Sequence, residues 1–186
     1  REANEDTRLK YRYLDLRNPV NHDNILLRSK VIDYMRSLMK DMDFIEINTP
    51  IISTSSPEGA RDFVIPARNF KCKFYALPQS PQQYKQLLMI AGFDKYFQIA
   101  RAMRDEDPRI DRQPEHTQID MEMSFVEQKD ILDLVERLML HVTANTSDCK
   151  PLFPSFPRLP YDEVMEKYGS DKPDLRFGLE LQDISD

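Results

Sequence analysis

Between positions 24 and 42 the apolar residues Leu27, Val31, Tyr34, Met35, Leu38 and Met42 return at helical spacing, which predicts an amphipathic helix. A short strand follows at Phe44-Ile45-Glu46-Ile47 and is stopped by Asn48-Thr49-Pro50. Residues 53–61, STSSPEGAR, read as a polar loop with turn chemistry at Pro57-Glu58-Gly59. Two short strands are expected at 63–66 and 74–77. Ser80-Pro81 then reads as a helix start, with Ser80 as N-cap, Pro81 in the first turn and Gln83 completing a capping box. That helix continues through Tyr84, Leu87, Leu88 and Ala91 and ends at Gly92.

Residues 95–126 predict two long strands joined by a charged loop, with the polar residues of both on alternate positions. His116, Gln118, Asp120, Glu122 and Ser124 share one face, and Ile119, Met121, Met123 and Phe125 the other. On the first strand Gln98, Arg104 and Glu106 share a parity, opposite Phe97, Ile99 and Met103. Any half-buried sheet alternates, but this polar face is rich in Arg, Gln, Asp, Glu and His, groups that make directed hydrogen bonds. It suits the floor of a site for a small polar ligand. A helix over 129–144 follows, with Ile131, Leu134, Val135, Leu138 and Val142 on its buried face. Pro151, Pro154, Pro157 and Pro160 break the chain before a short helix at 161–168 that ends in Gly169. The order helix, mostly antiparallel strands, helix predicts an α+β fold rather than a βαβ series.

The 186 residues suit one domain, or one domain and part of another. Residues 1–20 read as a charged lead-in or hinge, 21–150 as the main body and 151–186 as a connection out of it. No initiator Met opens the chain and GLELQDISD closes it in mid-pattern, so truncation at both ends is expected. Charged residues make up 31%, and no apolar run approaches a membrane span. The start has no apolar signal region. A net charge of −6 argues against a protein that coats nucleic acid, though not against local docking of RNA. Cys72 and Cys149 form no CxxC, and His22, His116 and His141 have no metal-binding spacing. A reducing compartment fits, and no metal site is predicted within the chain.

Several constellations invite chemistry. Arg104-Asp105-Glu106 ends the first strand, where Arg104 suits bidentate contact with a phosphate or carboxylate; a surface salt bridge is the bland alternative. The loop 107–115 carries Arg109 and Arg112, either as cations for a polyphosphate or as a solvated hairpin tip. Gln82 and Lys85 share a helix face and could grip a carboxylate together. Asp120 and Glu122 could take an ammonium group or Mg²⁺, or merely balance Arg104.

Taken together, KYRYLDLR, FIEINTP, SPEGARDF, KFYALPQSPQQYKQLLM, FQIARAMRDED, RQPEHTQIDMEMSF and YGSDKPDLRFG closely resemble the catalytic core of bacterial and organellar-type aspartyl-tRNA synthetases. The resemblance covers essentially the whole chain. Residues 24–50 resemble the family's motif 1, a dimer-forming element, and residues 95–126 its motif 2. It implies a class II catalytic core, mostly antiparallel sheet flanked by helices and incomplete, that activates L-aspartate with ATP and Mg²⁺ and transfers it to tRNA. By the same resemblance Arg104 is catalytic and contacts both ATP and aspartate. Glu58, Ser80, Gln82, Gln83, Tyr84, Lys85 and Asp120 surround aspartate. Asp105, Glu106, Gln113 and His116 surround ATP. Mg²⁺ ligands are expected outside the chain, a homodimer through the motif 1 region, and a cytoplasmic location or, alternatively, a mitochondrial matrix one.

The chain departs from the family in three ways. His116 stands where the family usually has Phe, motif 3 is absent, and so is the N-terminal anticodon-binding barrel. The competing readings are a non-catalytic synthetase-like binding module and an enzyme that also charges tRNA-Asn. With motif 3 absent, the isolated chain is expected to be inactive or very weak.

Overall fold

The computed structural model describes residues 3–56, 59–107, 112–182 and 184. By contacts the chain divides into two units, residues 1–131 and 132–186.

In the first unit, short helices α1 (Glu5–Lys10) and α2 (Arg12–Asp15) precede the long α3 (Pro19–Asp41). Helix α3 starts earlier than its apolar period suggests. Asn18 caps it by accepting from Val20 N, and Pro19 supplies a first-turn residue that needs no N–H partner. Its first turns are exposed on all sides, with Val20, Ile25, Leu26 and Leu27 open to solvent, so no buried face marks them in the sequence. Its last turns are buried at Leu38 and Met39. The chain leaves α3 through Asp43 at φ 64° and turns Phe44 back under it, Phe44 N donating to Met39 O at 3.0 Å.

Strand β1 (Ile45–Glu46) pairs parallel with the first strand of a long hairpin, β4 (Lys95–Met103) and β5 (Glu115–Met123), giving the order β1-β4-β5. Between them lie an antiparallel pair, β2 (Val64–Pro66) and β3 (Phe74–Ala76), and helix α4 (Gln82–Ile90). The register of β4 on β5 sets Tyr96 opposite Glu122, Gln98 opposite Asp120, Ala100 opposite Gln118 and Ala102 opposite His116. Because successive side chains alternate between faces, these residues share one face, and Phe97, Ile99, Thr117, Ile119 and Met121 the other. Helix α3 lies over the second face: Arg28 donates to Thr117 Oγ1 at 2.7 Å, and Val31, Ile32 and Met35 line a small cavity with Ile99 and Ile119. Helix α4 reaches the first, polar face.

The expected cap of α4 is corrected. Pro81, not Ser80, is the N-cap residue, without a side-chain hydrogen bond, and the helix begins at Gln82. A proline at φ −81° and ψ 26° closes the turn through its own carbonyl, which accepts from Lys85 N at 2.9 Å. Gln83 is therefore no capping-box residue. At the other end Gly92, at φ 86°, ends α4 and redirects the chain into β4.

The second unit holds most of α5 (Gln128–Thr146) and all of α6 (Tyr161–Tyr168). Leu134, Leu138 and Val142 are buried, an i, i+4, i+8 stripe narrower than expected, while Ile131 and Val135 lie exposed beside it. Arg158 holds the proline-rich segment to α5 through Asp133 and, at 3.5 Å, Glu136. No described helix is long and apolar enough to cross a membrane.

Candidate active site

The polar face of β4 and β5 carries the candidate site. At its centre Lys85 on α4 points down onto the sheet, with Nζ 3.0 Å from Asp120 Oδ1 and 3.4 Å from Glu122 Oε2. The lysine and aspartate side chains are 11% and 8% exposed, so this pair is buried rather than a surface bridge. Burial pushes the Asp120 carboxyl above the usual carboxylate range, and Lys85 opposes that rise. Asp120 Oδ2 is buried with no hydrogen-bond partner among the described residues. The Tyr96 phenol lies beside it, but its one proton goes to Gln98 Oε1 at 2.8 Å, and burial raises its pKa far above normal. Gln98, for its part, accepts from Thr49 N and Oγ1 at 3.2 and 2.9 Å, tying the end of β1 to the floor.

Beyond β4 the chain continues in register: Arg104 N donates to Pro114 O at 2.8 Å. Arg104, Glu106, Arg112, Gln113 and His116 line one cavity of about 370 Å³. Arg104 Nε is buried and has no hydrogen-bond partner among the described residues. A buried guanidinium donor without a partner is costly to hold, and it suits an anionic ligand.

These placements sort the residues expected from the sequence. Arg104, Glu106, Gln113 and His116 are brought together, and Lys85 meets Asp120. Gln82, one helical turn from Lys85, is half-buried, as is Ser80. Tyr84 turns to the chain before β2, its Oη 2.8 Å from Ser53 Oγ. Gln83 is exposed on α4, and Asp105 does not line the cavity but bridges to Arg61, its N donating to Arg61 O at 3.0 Å. Glu58 lies outside the described residues, as does Arg109.

Among the described residues no three His, Cys, Asp or Glu side chains converge as a metal site. Asp120 and Glu122, the acids that could have taken Mg²⁺, share the Lys85 ammonium instead. The arrangement does not fit a cation there.

Two residues escaped the sequence reading. Tyr96 sits on the polar parity but reads as an apolar strand residue. Gln79 is 1% exposed and binds Ala60 through both side-chain ends, Nε2 to O at 2.9 Å and Oε1 from N at 3.2 Å, and also donates to Asp62 Oδ1. Asp62 Oδ2 accepts from Ser55 Oγ at 2.5 Å and Ser56 N at 3.3 Å. The Gln79 hydrogen bond, followed by that of Ser55, holds the Asp62 carboxyl below its usual range.

The sign of that shift gives a test. A lowered native pKa means the unfolded chain binds the proton first on acidification, so Asp62 contributes stability above the ordinary carboxylate value near ~3.9 that is lost as pH falls through the native one. Asp62→Asn is expected to lower the urea midpoint at neutral pH, the deficit shrinking below about pH 4. A deficit that stays constant across the acid range would refute the assignment.

Comparison with known proteins places this geometry in a family. A model of class II tRNA synthetases (D, K and N) matches residues 4–185. The chain is 56% identical over 186 residues to an aspartate–tRNA(Asp/Asn) ligase of Rubrobacter xylanophilus, covering 100% of this chain and 31% of that protein. It is 57% identical over 185 residues to an aspartate–tRNA ligase of Geobacillus kaustophilus, again 31% of the relative's length. A crystal structure described as that of an aspartyl-tRNA synthetase from Leishmania major Friedlin superposes with a TM-score of 0.68 at 30% identity, over 77% of this chain and 27% of that one. The chain thus spans about a third of the proteins it matches, and the polar hairpin with its Lys85–Asp120 pair and Arg104 cavity stands within that part. The chain belongs to the class II tRNA synthetase family of the D, K and N type.

Proposed function

We propose that this chain forms the amino-acid and ATP half of an aspartate–tRNA ligase. The observation that carries the reading is the buried Lys85 ammonium on the sheet floor, shared by Asp120 and Glu122. Within a family divided among D, K and N, that cation favours a substrate with a side-chain carboxylate. A lysine substrate would bring a second ammonium beside Lys85, and an asparagine amide would gain no ion pair. Glu122 and Asp120, whose Oδ2 has no hydrogen-bond partner among the described residues, are acceptors for the α-ammonium of aspartate. Arg104 is the group for the reacting carboxylate and the ATP α-phosphate.

In this reading the substrate carboxylate attacks the α-phosphorus of ATP, pyrophosphate leaves, and aspartyl-adenylate remains for transfer to the tRNA 3′ end. The chain's residues supply position and charge: Lys85, Gln82 and Ser80 orient the amino acid, and Arg104 neutralises charge as the bond forms. Glu106, Gln113 and His116 hold the nucleotide in the cavity they line. Mg²⁺, which the family uses with ATP, finds no grouped ligands among the described residues.

Solvent-exposed Val20, Ile25, Leu26 and Leu27 on α3 support a homodimer through this helix. Exposed free Cys72 and Cys149 accord with a reducing cytoplasm. The names of the relatives from Rubrobacter and Geobacillus differ in tRNA range, and the first favours a second reading in which tRNA-Asn is charged as well.

The test is ATP–pyrophosphate exchange by the full-length protein with aspartate, asparagine and lysine, followed by aminoacylation of tRNA-Asp and tRNA-Asn. Exchange driven by aspartate alone is expected. Exchange driven by lysine or asparagine, or none at all, would overturn the reading.

A further inference from the structure

The Gln79–Asp62 pair has no role in the site as described above, yet it is among the best-satisfied polar groups of the chain. Gln79 is 1% exposed and grips both backbone atoms of Ala60. Asp62 gathers Gln79, Ser55 and Ser56 onto its two oxygens. Gln79 is next in sequence to a residue of the site, and Asp62 is linked to the other half through its neighbour Arg61. Gln79 precedes Ser80 and the turn that starts α4, and so sets where Lys85 descends. Asp62 follows Arg61, whose backbone pairs with Asp105, the neighbour of Arg104, and whose Nε donates to Asp105 O at 3.3 Å. Pro78 O, on the other side of Gln79, accepts from Met103 N at 2.9 Å, the residue before Arg104. The two halves of the site are therefore joined through this pair from both directions.

We propose that Gln79 and Asp62 are positioning residues that hold the amino-acid half of the site, on α4, in fixed relation to the phosphate half, at the end of β4. Their hydrogen bonds among the described residues go to Ala60, Ser55, Ser56 and each other rather than to the sheet floor. Their contribution is alignment: reacting groups held about 3–3.5 Å apart lose rate steeply when one is displaced by about 1 Å. The inference rests on the aspartate-activating reading above.

The signature is a loss in kcat without a matching loss in ATP affinity. Asp62→Asn turns a donor toward either the Gln79 amide or Ser56 N, and Gln79→Glu turns a carboxylate toward Asp62. Both keep the side-chain size, whereas Gln79→Ala would leave a void. In pyrophosphate exchange by the full-length protein, each single variant is expected to lose about ten- to a hundredfold in kcat, with KM for ATP within about twofold. Residues acting as one unit give non-additive losses, so the double variant is expected to be no worse than the worse single one. Thermal melting of each variant is followed in parallel.

Unchanged kcat, additive losses, or a fall in melting temperature with kcat retained would each overturn the inference while leaving the aspartate reading in place. A wild-type protein that activates no aspartate would remove both. If Asp62→Asn fails to fold, Ser55→Ala, which removes one hydroxyl donor to Asp62, carries the test. A smaller kcat loss with KM for ATP kept would support the inference, and wild-type kcat would overturn it.

Discussion

Lys85→Met is expected to abolish aspartate-dependent pyrophosphate exchange and to lower the unfolding free energy by about 3 kcal/mol. The magnitude follows from burial. An exposed ion pair contributes about 1 kcal/mol or less, and its loss would scarcely move a melting curve. Here the paired side chains are 11% and 8% exposed, so removing the ammonium leaves Asp120 buried without its cation and one oxygen still without a partner among the described residues. The deficit is expected to depend on pH in a definite direction. Burial already raises the Asp120 carboxyl, and Lys85 restrains that rise. Without Lys85 the native value climbs further above the unfolded one, so the folded variant keeps a proton that the unfolded chain has lost. Its stability then falls as pH rises through that window, and the deficit is largest at neutral pH and shrinks on acidification.

A second substitution separates stability from function. Asp120→Asn on the Lys85→Met background removes the stranded charge and is expected to restore most of the lost stability, but no exchange activity. Chemical denaturation across pH, run beside the exchange assay, checks both. A single Lys85→Met variant as stable as wild type, or one that still activates aspartate within about tenfold, would remove Lys85 from the centre of the site.

What the sequence made legible was what period and spacing encode. The β4–β5 hairpin follows from alternation alone. Since the side-chain period of a strand is two, the pairing that buries Phe97 on one face puts Gln98 beside Asp120 on the other. The start of α3 was signalled by Asn18-Pro19 but obscured by the solvent-exposed apolar residues of its first turns. Contacts that cross the fold left weaker traces. Lys85 and Asp120 were each singled out, yet nothing in either stretch says that they touch, because α4 meets β5 only after the chain has crossed β4. Gln79 escaped altogether, since a buried amide that binds loop backbone leaves no periodic signal. The cap of α4 misled for a local reason: Ser80-Pro81 fits a familiar start pattern, but the proline carbonyl closed the first turn and the serine was not needed as a cap.

Arg104→Ala is expected to lower aspartate-dependent exchange by about a thousandfold while leaving stability within about 1 kcal/mol of wild type. The two halves of that expectation share one cause. The backbone of Arg104 is anchored by its bond to Pro114, but its buried Nε has no hydrogen-bond partner among the described residues. A desolvated donor left unmatched opposes folding by about 1–3 kcal/mol, so truncating it removes a cost along with the packing of its stem. On the proposed reading that donor is matched by a ligand, and the cavity that Arg104 lines with Arg112, Gln113 and His116 is where an anion would meet it. Arg104→Lys tests the geometry apart from the charge. An ammonium keeps the positive charge but cannot make two parallel bonds to a phosphate or carboxylate, so activity is expected to stay about a hundredfold down. Full recovery with lysine would make the role one of charge alone. An alanine variant that is strongly destabilised would show instead that Arg104 holds the end of β4 together, and the phosphate contact would have to be sought at Arg112.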